Sequence, residues 1–188
     1  MKKYYLVIIA FVLLVGFLVD NIVLKIMPLI KNPVLNYLSN LFTNLIPVLI
    51  ITMVSISLFL LNKKKREWIL PLGLSIVFSY LITYILKFIT ARPRPLGIIK
   101  IMPLTNFVDY SFPSSHAAVA FAALPILNKT YPKLKLLWIL SACFVAFSRI
   151  YIGVHYLSDV VAGSLIGYLT SLFIIKLKER KWKLTGLR

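Results

Sequence analysis

The sequence predicts an all-α fold: an integral membrane bundle of six transmembrane helices with a short interfacial helix between helices one and two. Three observations carry this. The 188 residues are 60% hydrophobic with a mean hydropathy of +0.90, far more apolar surface than a soluble domain of this size needs. The apolar residues gather into six runs of helix length, at about 4–20, 45–61, 68–88, 114–128, 136–152 and 157–176. The charge, 22 Lys and Arg against 5 Asp and Glu for a net +17, falls mostly between those runs. The length supports one membrane-embedded domain over residues 1–188 and no second.

The first run follows Lys2 and Lys3. A basic start before an apolar stretch also opens a signal peptide, but no small-x-small cleavage site precedes Asp20 and Asn21, so the run reads as an uncleaved first helix. Pro28 and Pro33 then break the chain. Beyond Pro33, Val34, Leu35, Leu38, Leu41 and Phe42 recur at helical spacing. This predicts a short amphipathic helix at the membrane interface, either shaping access from the lipid or serving as a linker. A tight basic loop, Asn62 to Glu67, joins the second and third runs, and Lys87 closes the third. Residues 92–112 form a long loop with Pro93, Pro95, Gly97 and Pro103. The fourth run opens on the serines after Pro113 and ends at the turn from Asn128 to Lys135. A very short connection, Gly153 to Ser158, joins the fifth and sixth, and the basic tail after Ile175 reads as a fraying helix end. Several runs fall short of the roughly 20 residues of a full span. The shortfall lies beside three polar patches, where helix ends can open into a water-filled cleft.

In this topology fifteen of the 22 cations share one side: Lys2 and Lys3, Lys63 to Arg66, Lys129 to Lys135, and the tail. Basic loops stay cytoplasmic, so both termini are expected inside, with the inner-membrane lipid headgroups as their partners. A basic face on a soluble surface, as nucleic-acid binding requires, is not evident. Lys87, Arg92, Arg94 and Arg149 fall on the outer side and need another explanation. Cys143 lies mid-helix as a lone cysteine, without a disulfide partner or metal-ligand spacing.

The three outer patches hold both histidines. In the last, Ser148-Arg149 precedes His155 and Asp159. Positions 155 and 159 are four apart and on a helix share a face, so Asp159 can fix one imidazole nitrogen and leave the other free as nucleophile or base. Arg149 suits bidentate phosphate binding; its competing role is a buried ion pair with Asp159. In the middle patch, Pro113-Ser114-Ser115-His116 opens a helix whose first amides and dipole form an anion site. His116 can there donate a proton to a leaving oxygen, or the patch is an ordinary serine cap beside an interfacial histidine. In the first, Pro93 and Pro95 extend the chain that carries Arg92 and Arg94 beyond Lys87. Snorkelling to headgroups is the alternative for these cations. Together these groups are what hydrolysis of a phosphate ester needs.

At these residues the chain resembles the type 2 phosphatidic acid phosphatase superfamily, whose signature is Lys-x6-Arg-Pro, Pro-Ser-Gly-His and Ser-Arg-x5-His-x3-Asp. Lys87 with Arg94-Pro95 matches the first part, and Ser148-Arg149, His155 and Asp159 match the third. Ser115 stands where the second part has glycine, which raises strain as an issue if that position needs a positive φ. The resemblance implies a phosphatase using neither metal nor cofactor. His155 attacks phosphorus to form a phosphohistidine, Asp159 orients it, and His116 protonates the leaving group. Lys87, Arg94, Ser114 and Arg149 bind phosphate oxygens, with the amides near Ser115 and His116 assisting. Arg92, outside the signature, is assigned to a second phosphate or to a lipid headgroup.

The expected activity is hydrolysis of a lipid phosphate or pyrophosphate at the outer membrane face, undecaprenyl pyrophosphate being favoured. Phosphatidylglycerolphosphate, phosphatidic acid and lipid A are alternatives. A non-catalytic lipid-phosphate binder or flippase is the competing class, and a vanadium-dependent haloperoxidase a remote one.

Overall fold

The computed structural model describes residues 3–43, 53, 57, 59–95 and 109–185. Among them the regular structure is helical throughout, as expected. The main helices are α1 (Lys3–Ile26), α2 (Pro33–Thr43), α3 (Ile69–Thr90), α4 (Ser115–Thr130), α5 (Lys135–Tyr151) and α6 (Leu157–Thr185). Short 3₁₀ turns lie at Met27–Ile30, Lys63–Trp68 and Pro132–Leu134. The expected second run, 45–61, lies outside the described residues except for helical positions 53, 57 and 59–61.

Among the described residues, four stretches are long and apolar enough to cross a membrane: Val7–Ile30, Lys63–Thr90, Pro132–Tyr151 and Leu157–Arg180. The protein is an integral membrane protein. With 16 residues, α4 is shorter; at 1.5 Å per residue it reaches about 24 Å, less than the roughly 30 Å hydrocarbon layer. Two boundaries differ from the sequence reading. α1 runs on to Ile26, and α6 stays helical to Thr185 through the basic tail. The sequence reading ends the first run at the polar pair Asp20 and Asn21, which the apolar helix continues through; in α6 backbone hydrogen bonding carries on past the apolar residues.

α4 is the most enclosed helix and packs most extensively on α6. Two glycines make this possible. A Cβ on Gly163 would lie 2.2 Å from the Ser114 carbonyl oxygen, and one on Gly167 1.9 Å from that of Ala118. With no side chain at either position, the backbones of α4 and α6 come into direct contact. Around this seam lie two apolar clusters. One, around Trp68, Leu72, Leu124, Leu127 and Trp138, fills the end nearest the Lys63–Trp68 turn; the other, Ala117, Ala146, Ile150 and Val160, lies under the opposite end.

The helix ends sort by charge. Glu67 pairs with Lys178 at 3.4 Å, and Glu179 pairs with Lys129. The Lys178 ammonium also sits 3.6 Å from the centre of the Trp68 ring. The basic starts and ends of α3, α4 and α6 thus meet at one end of the bundle. The C-terminal ends of α3 and α5 and the starts of α4 and α6 meet at the other. α2 is tied to that second end, because the Tyr151 hydroxyl accepts from the Asn32 N–H at 3.1 Å and donates to Asn36 Oδ1 at 2.9 Å. Val34, Tyr37 and Leu41 form an exposed apolar stripe along α2.

Candidate active site

Each of the three polar patches is delivered by a helix end whose termination is chemically explicit. α3 stops where Ala91 takes a left-handed conformation, φ 44°, and donates its N–H to the Lys87 carbonyl at 2.9 Å. The Arg-Pro-Arg-Pro segment that follows cannot continue a helix. α5 ends at Gly153, φ 77°, a conformation glycine adopts without penalty. The Arg149 carbonyl then accepts from both Val154 and His155 at 3.2 Å. The turn therefore places His155 against the residue that precedes it by six positions.

His155 lies just before α6, in the connection and not on the helix. Its pairing with Asp159 is made by a helix start instead of a helix face. Asp159 is the third residue of α6, and its Oδ2 reaches back to the Tyr156 N–H at 2.9 Å. This is the carboxylate half of a capping box, and it also satisfies one of the helix's orphan donors. The same Oδ2 is 3.4 Å from His155 Nδ1 and accepts from Ser111 Oγ at 2.5 Å. Asp159 therefore holds the Nδ1 side of the ring. Nε2 faces Arg94 Nη1 at 3.4 Å.

The imidazole is buried, and that burial, with Arg94, Lys87 and Arg149 around it, holds His155 well below the usual imidazole range despite the opposing pull of Asp109. At neutral pH it is an uncharged base.

Lys87 and Arg94 converge on Asp109. Lys87 Nζ is 2.6 Å from Asp109 Oδ1 and also donates to the Tyr110 carbonyl. Arg94 Nη2 is 2.6 Å from Oδ2, its Nε donates to the Asp109 carbonyl at 2.8 Å, and its Nη1 donates to the Val154 carbonyl at 2.6 Å. Burial pushes the Asp109 carboxyl upward, but Lys87 and Arg94 more than offset this and hold it below the usual carboxylate range.

Arg149 is buried, and its Nε and Nη1 have no hydrogen-bond partner among the described residues. The expected alternative, an Arg149–Asp159 ion pair, is not what forms: Asp159 Oδ1 pairs with Arg92 Nη1 at 2.6 Å. Ser114 holds the N-cap position of α4 with extended backbone, but its hydroxyl does not cap the helix; it too is buried without a partner. The Ser114 N–H instead donates to the Asp159 carbonyl at 3.0 Å, which joins the start of α4 to the start of α6. Ser148, by contrast, donates back to the Val145 carbonyl at 2.8 Å and serves its own helix.

Ser115 is the first residue of α4 and does not have a positive φ; among the described residues other than glycine, only Ala91 does. Serine therefore replaces glycine there without backbone strain, and its Oγ accepts from Thr83 Oγ1 of α3 at 3.0 Å. His116 follows in the same first turn, partly buried. Arg92 donates to Asp20, Ser158 and Asp159, all within the protein.

Four contributors escaped the sequence reading: Asp20, Asp109, Ser111 and the glycine pair Gly163 and Gly167. One signal points to two of them. The chain has 5 acidic residues, and all three aspartates, Asp20, Asp109 and Asp159, meet at this site.

A family model described as the PAP2 superfamily matches residues 68–183. The undecaprenyl-diphosphatase of Sulfolobus acidocaldarius is 32% identical over 130 residues, covering 65% of this chain and 61% of that protein. The chain thus spans less than two thirds of that relative's length. Among solved structures, Aquifex aeolicus LpxE superposes with a TM-score of 0.69 at 26% identity over 84% of this chain and 95% of that one. The PAP2-type phosphatidylglycerolphosphate phosphatase from Bacillus subtilis shares the fold, with a TM-score of 0.65 at 24% identity over 93% of this chain and 96% of that one.

Proposed function

This chain belongs to the PAP2 superfamily, and from that premise we propose that it is a lipid phosphatase working through a phosphohistidine on His155. The observation that carries the proposal is the set of buried, unpartnered donors, Arg149 Nε and Nη1 and the Ser114 hydroxyl, at a site with an uncharged histidine. Buried donors without acceptors are costly, and phosphate oxygens would satisfy them.

The step is an in-line displacement. His155 Nε2 attacks phosphorus while the P–O bond to the leaving group breaks, and His116 gives the leaving oxygen its proton. Asp159 stabilises the positive charge that the ring acquires. Lys87, Arg94, Ser114 and Arg149 hold the transferring oxygens, with the first amides of α4 assisting. Water then attacks phosphorus, the P–N bond breaks, and His116 takes the water's proton. Ser115 contributes its amide to the anion site and its hydroxyl to the α3–α4 contact.

The favoured substrate is undecaprenyl diphosphate, the substrate class in the name of the Sulfolobus relative. Phosphatidylglycerolphosphate, phosphatidic acid and lipid A phosphates are the alternatives. The site lies at the end of the bundle opposite Lys63–Arg66, Lys129 and Lys178, so the positive-inside rule supports an outward-facing site, cytoplasmic termini and residence in the inner membrane. The apolar stripe on α2 supports an interfacial position beside the site, where a lipid tail can enter. We take residues 1–188 as one phosphatase domain with six spans.

The test is inorganic phosphate release by purified protein in detergent and EDTA, across these four lipids, with His155→Ala alongside. Metal-independent release that the variant loses is expected. Lipid binding with no release by a folded wild type would sink the proposal and favour a binder or flippase.

A further inference from the structure

α1 is exposed or half-exposed along nearly its whole length, and Gly16 and Asp20 are its only buried positions among those whose burial is described. They are four apart and share one face. A Cβ on Gly16 would lie 3.3 Å from Ser158 Cα, so glycine lets α1 close on the start of α6. There Asp20 Oδ1 accepts from the Ser158 N–H at 2.9 Å, and Oδ2 accepts from Ser158 Oγ at 2.6 Å. An aspartate from another helix thus satisfies an orphan amide at the start of α6.

Asp20 Oδ2 also pairs with Arg92 Nη2 at 2.8 Å. Through Nη1, the same guanidinium holds Asp159 Oδ1 and Ser158 Oγ, each at 2.6 Å. Both protons of Nη1 are thereby used within the protein. The Arg92 guanidinium carbon lies 3.9 Å from the centre of the Tyr156 ring and 5.0 Å from that of Phe17, which further fixes its plane. A charged residue buried in a membrane helix is costly unless it is paired and useful.

We infer that Asp20 and Arg92 are positioning residues for the phosphoryl transfer: a clamp running from α1 through Arg92 to Asp159 that fixes the carboxylate on which His155 depends. The inference rests on the phosphatase reading above. It assigns Arg92 to Asp159 and not to a second phosphate or a headgroup. It also gives α1 a part in catalysis. With Asp20 sharing the Arg92 guanidinium, Asp159 is not neutralised by it alone and can stabilise the ring once it is phosphorylated and positive.

The test compares Asp20→Asn, Arg92→Lys and their double variant on a diphosphate lipid, undecaprenyl diphosphate, and a monophosphate lipid, phosphatidic acid. Groups that orient a metal-bound histidine typically cost about 10–100-fold when removed, and the same order is taken for a histidine nucleophile. We expect kcat to fall by that order for both lipids in each single variant, with KM changed by less than about twofold. The double variant is expected to be no worse than the poorer single, because the two residues act as one unit. A raised KM for the diphosphate alone, with monophosphate turnover intact, would make Arg92 a substrate ligand and overturn the clamp. Full activity in Asp20→Asn, or losses that simply multiply, would overturn it as well. Should Asp20→Asn not fold, Ser158→Ala removes only the bridging hydroxyl and is expected to lower kcat several-fold.

A turnover-independent measurement separates this inference from the phosphatase reading. Diethyl pyrocarbonate modification of His155, followed by mass spectrometry, is expected to slow several-fold in Asp20→Asn while that of His116 does not. A wild type that hydrolyses none of the four lipids defeats the phosphatase reading. Unchanged His155 reactivity in the variant defeats the clamp.

Discussion

Asp109 occupies the donors that the mechanism assigns to phosphate. Its two oxygens each make an ion pair of 2.6 Å, one with Lys87 and one with Arg94, as two oxygens of a phosphate would. Substrate must therefore displace a carboxylate before both cations can bind it. Net contributions of hydrogen bonds to charged groups are about 1.5–3 kcal/mol. Asp109 is 20% exposed and regains hydration when released, so the lower end of that range applies to the exchange. Removing the competing charge with Asp109→Asn is thus expected to tighten phosphate or vanadate binding about tenfold. The ligand-free variant is expected to be less stable, because Lys87 and Arg94 lose their counter-charge inside the bundle. The two effects have opposite signs and one assay reads both: thermal unfolding in detergent against a vanadate titration. The variant should begin with a lower Tm and gain more from each ligand concentration. Saturation at about 100 times Kd adds about 2.7 kcal/mol. Weaker vanadate binding by a folded variant would refute this, and would mean that Asp109 arranges the two cations for phosphate and does not compete with it.

The seam between α4 and α6 gives a second expectation. Gly163→Ala and Gly167→Ala set a methyl against backbone carbonyls and should destabilise by about 1–3 kcal/mol or more, with lost activity. Gly73→Ala, with nothing within 4 Å, should be neutral or stabilising by up to about 1 kcal/mol, and thermal unfolding of the three compares them directly. The depressed His155 gives a third. The acid limb of kcat/KM should fall well below the ordinary imidazole value of about 6.5, where an exposed histidine would place it. For stability the sign follows from proton uptake. The unfolded chain protonates His155 at a pH where the folded chain does not, so the contribution is nil above the ordinary imidazole range and becomes destabilising as the pH falls through it. A stability curve flat through that range in the wild type, matching His155→Ala, would contradict the burial argument. Ser115→Gly completes the set: activity should be retained within about threefold, since Ser115 has no strain to relieve, with a slight stability loss from the missing Thr83 contact.

The site was legible in the sequence where its chemistry is local. His155 and Asp159, Lys87 and Arg94, and Ser114 beside His116 each lie within one short segment, and spacing alone suggested the pairing. The means of pairing was less legible. Spacing of four suggested a helix face, whereas a glycine turn and the reach of a capping carboxylate bring His155 and Asp159 together. Contacts across the chain were not legible at all. Asp20 meets Ser158 138 positions away, and Gly163 meets Ser114 backbone to backbone. Nothing in a window of twenty residues encodes either. For the helices, hydropathy located α3, α4 and α5 to within two residues but missed two ends: α1 was cut short at Asp20, although the chain beyond it is again apolar, and α6 stays helical through its basic tail.

The acids carried more information than their number suggested. In a chain with 22 cations and 5 acids, cations are expected at every interface, and each says little. An aspartate in or beside an apolar segment is different, because its charge must be paired before it can be buried. The three aspartates here pair with three cations at one end of the bundle: Asp20 and Asp159 with Arg92, Asp109 with Lys87 and Arg94. Arg149 is the cation near them whose Nε and Nη1 are left without a partner. That asymmetry gives the division of labour. Under the proposed mechanism, the clamped guanidinium of Arg92 holds the machinery in place, the cations on Asp109 exchange onto an incoming anion, and Arg149 Nε and Nη1 are open to receive it. A site built only to store charge would have neutralised all four. Leaving Arg149 unmatched inside a bundle where every unpaired donor is costly makes sense when the missing acceptor arrives with the substrate.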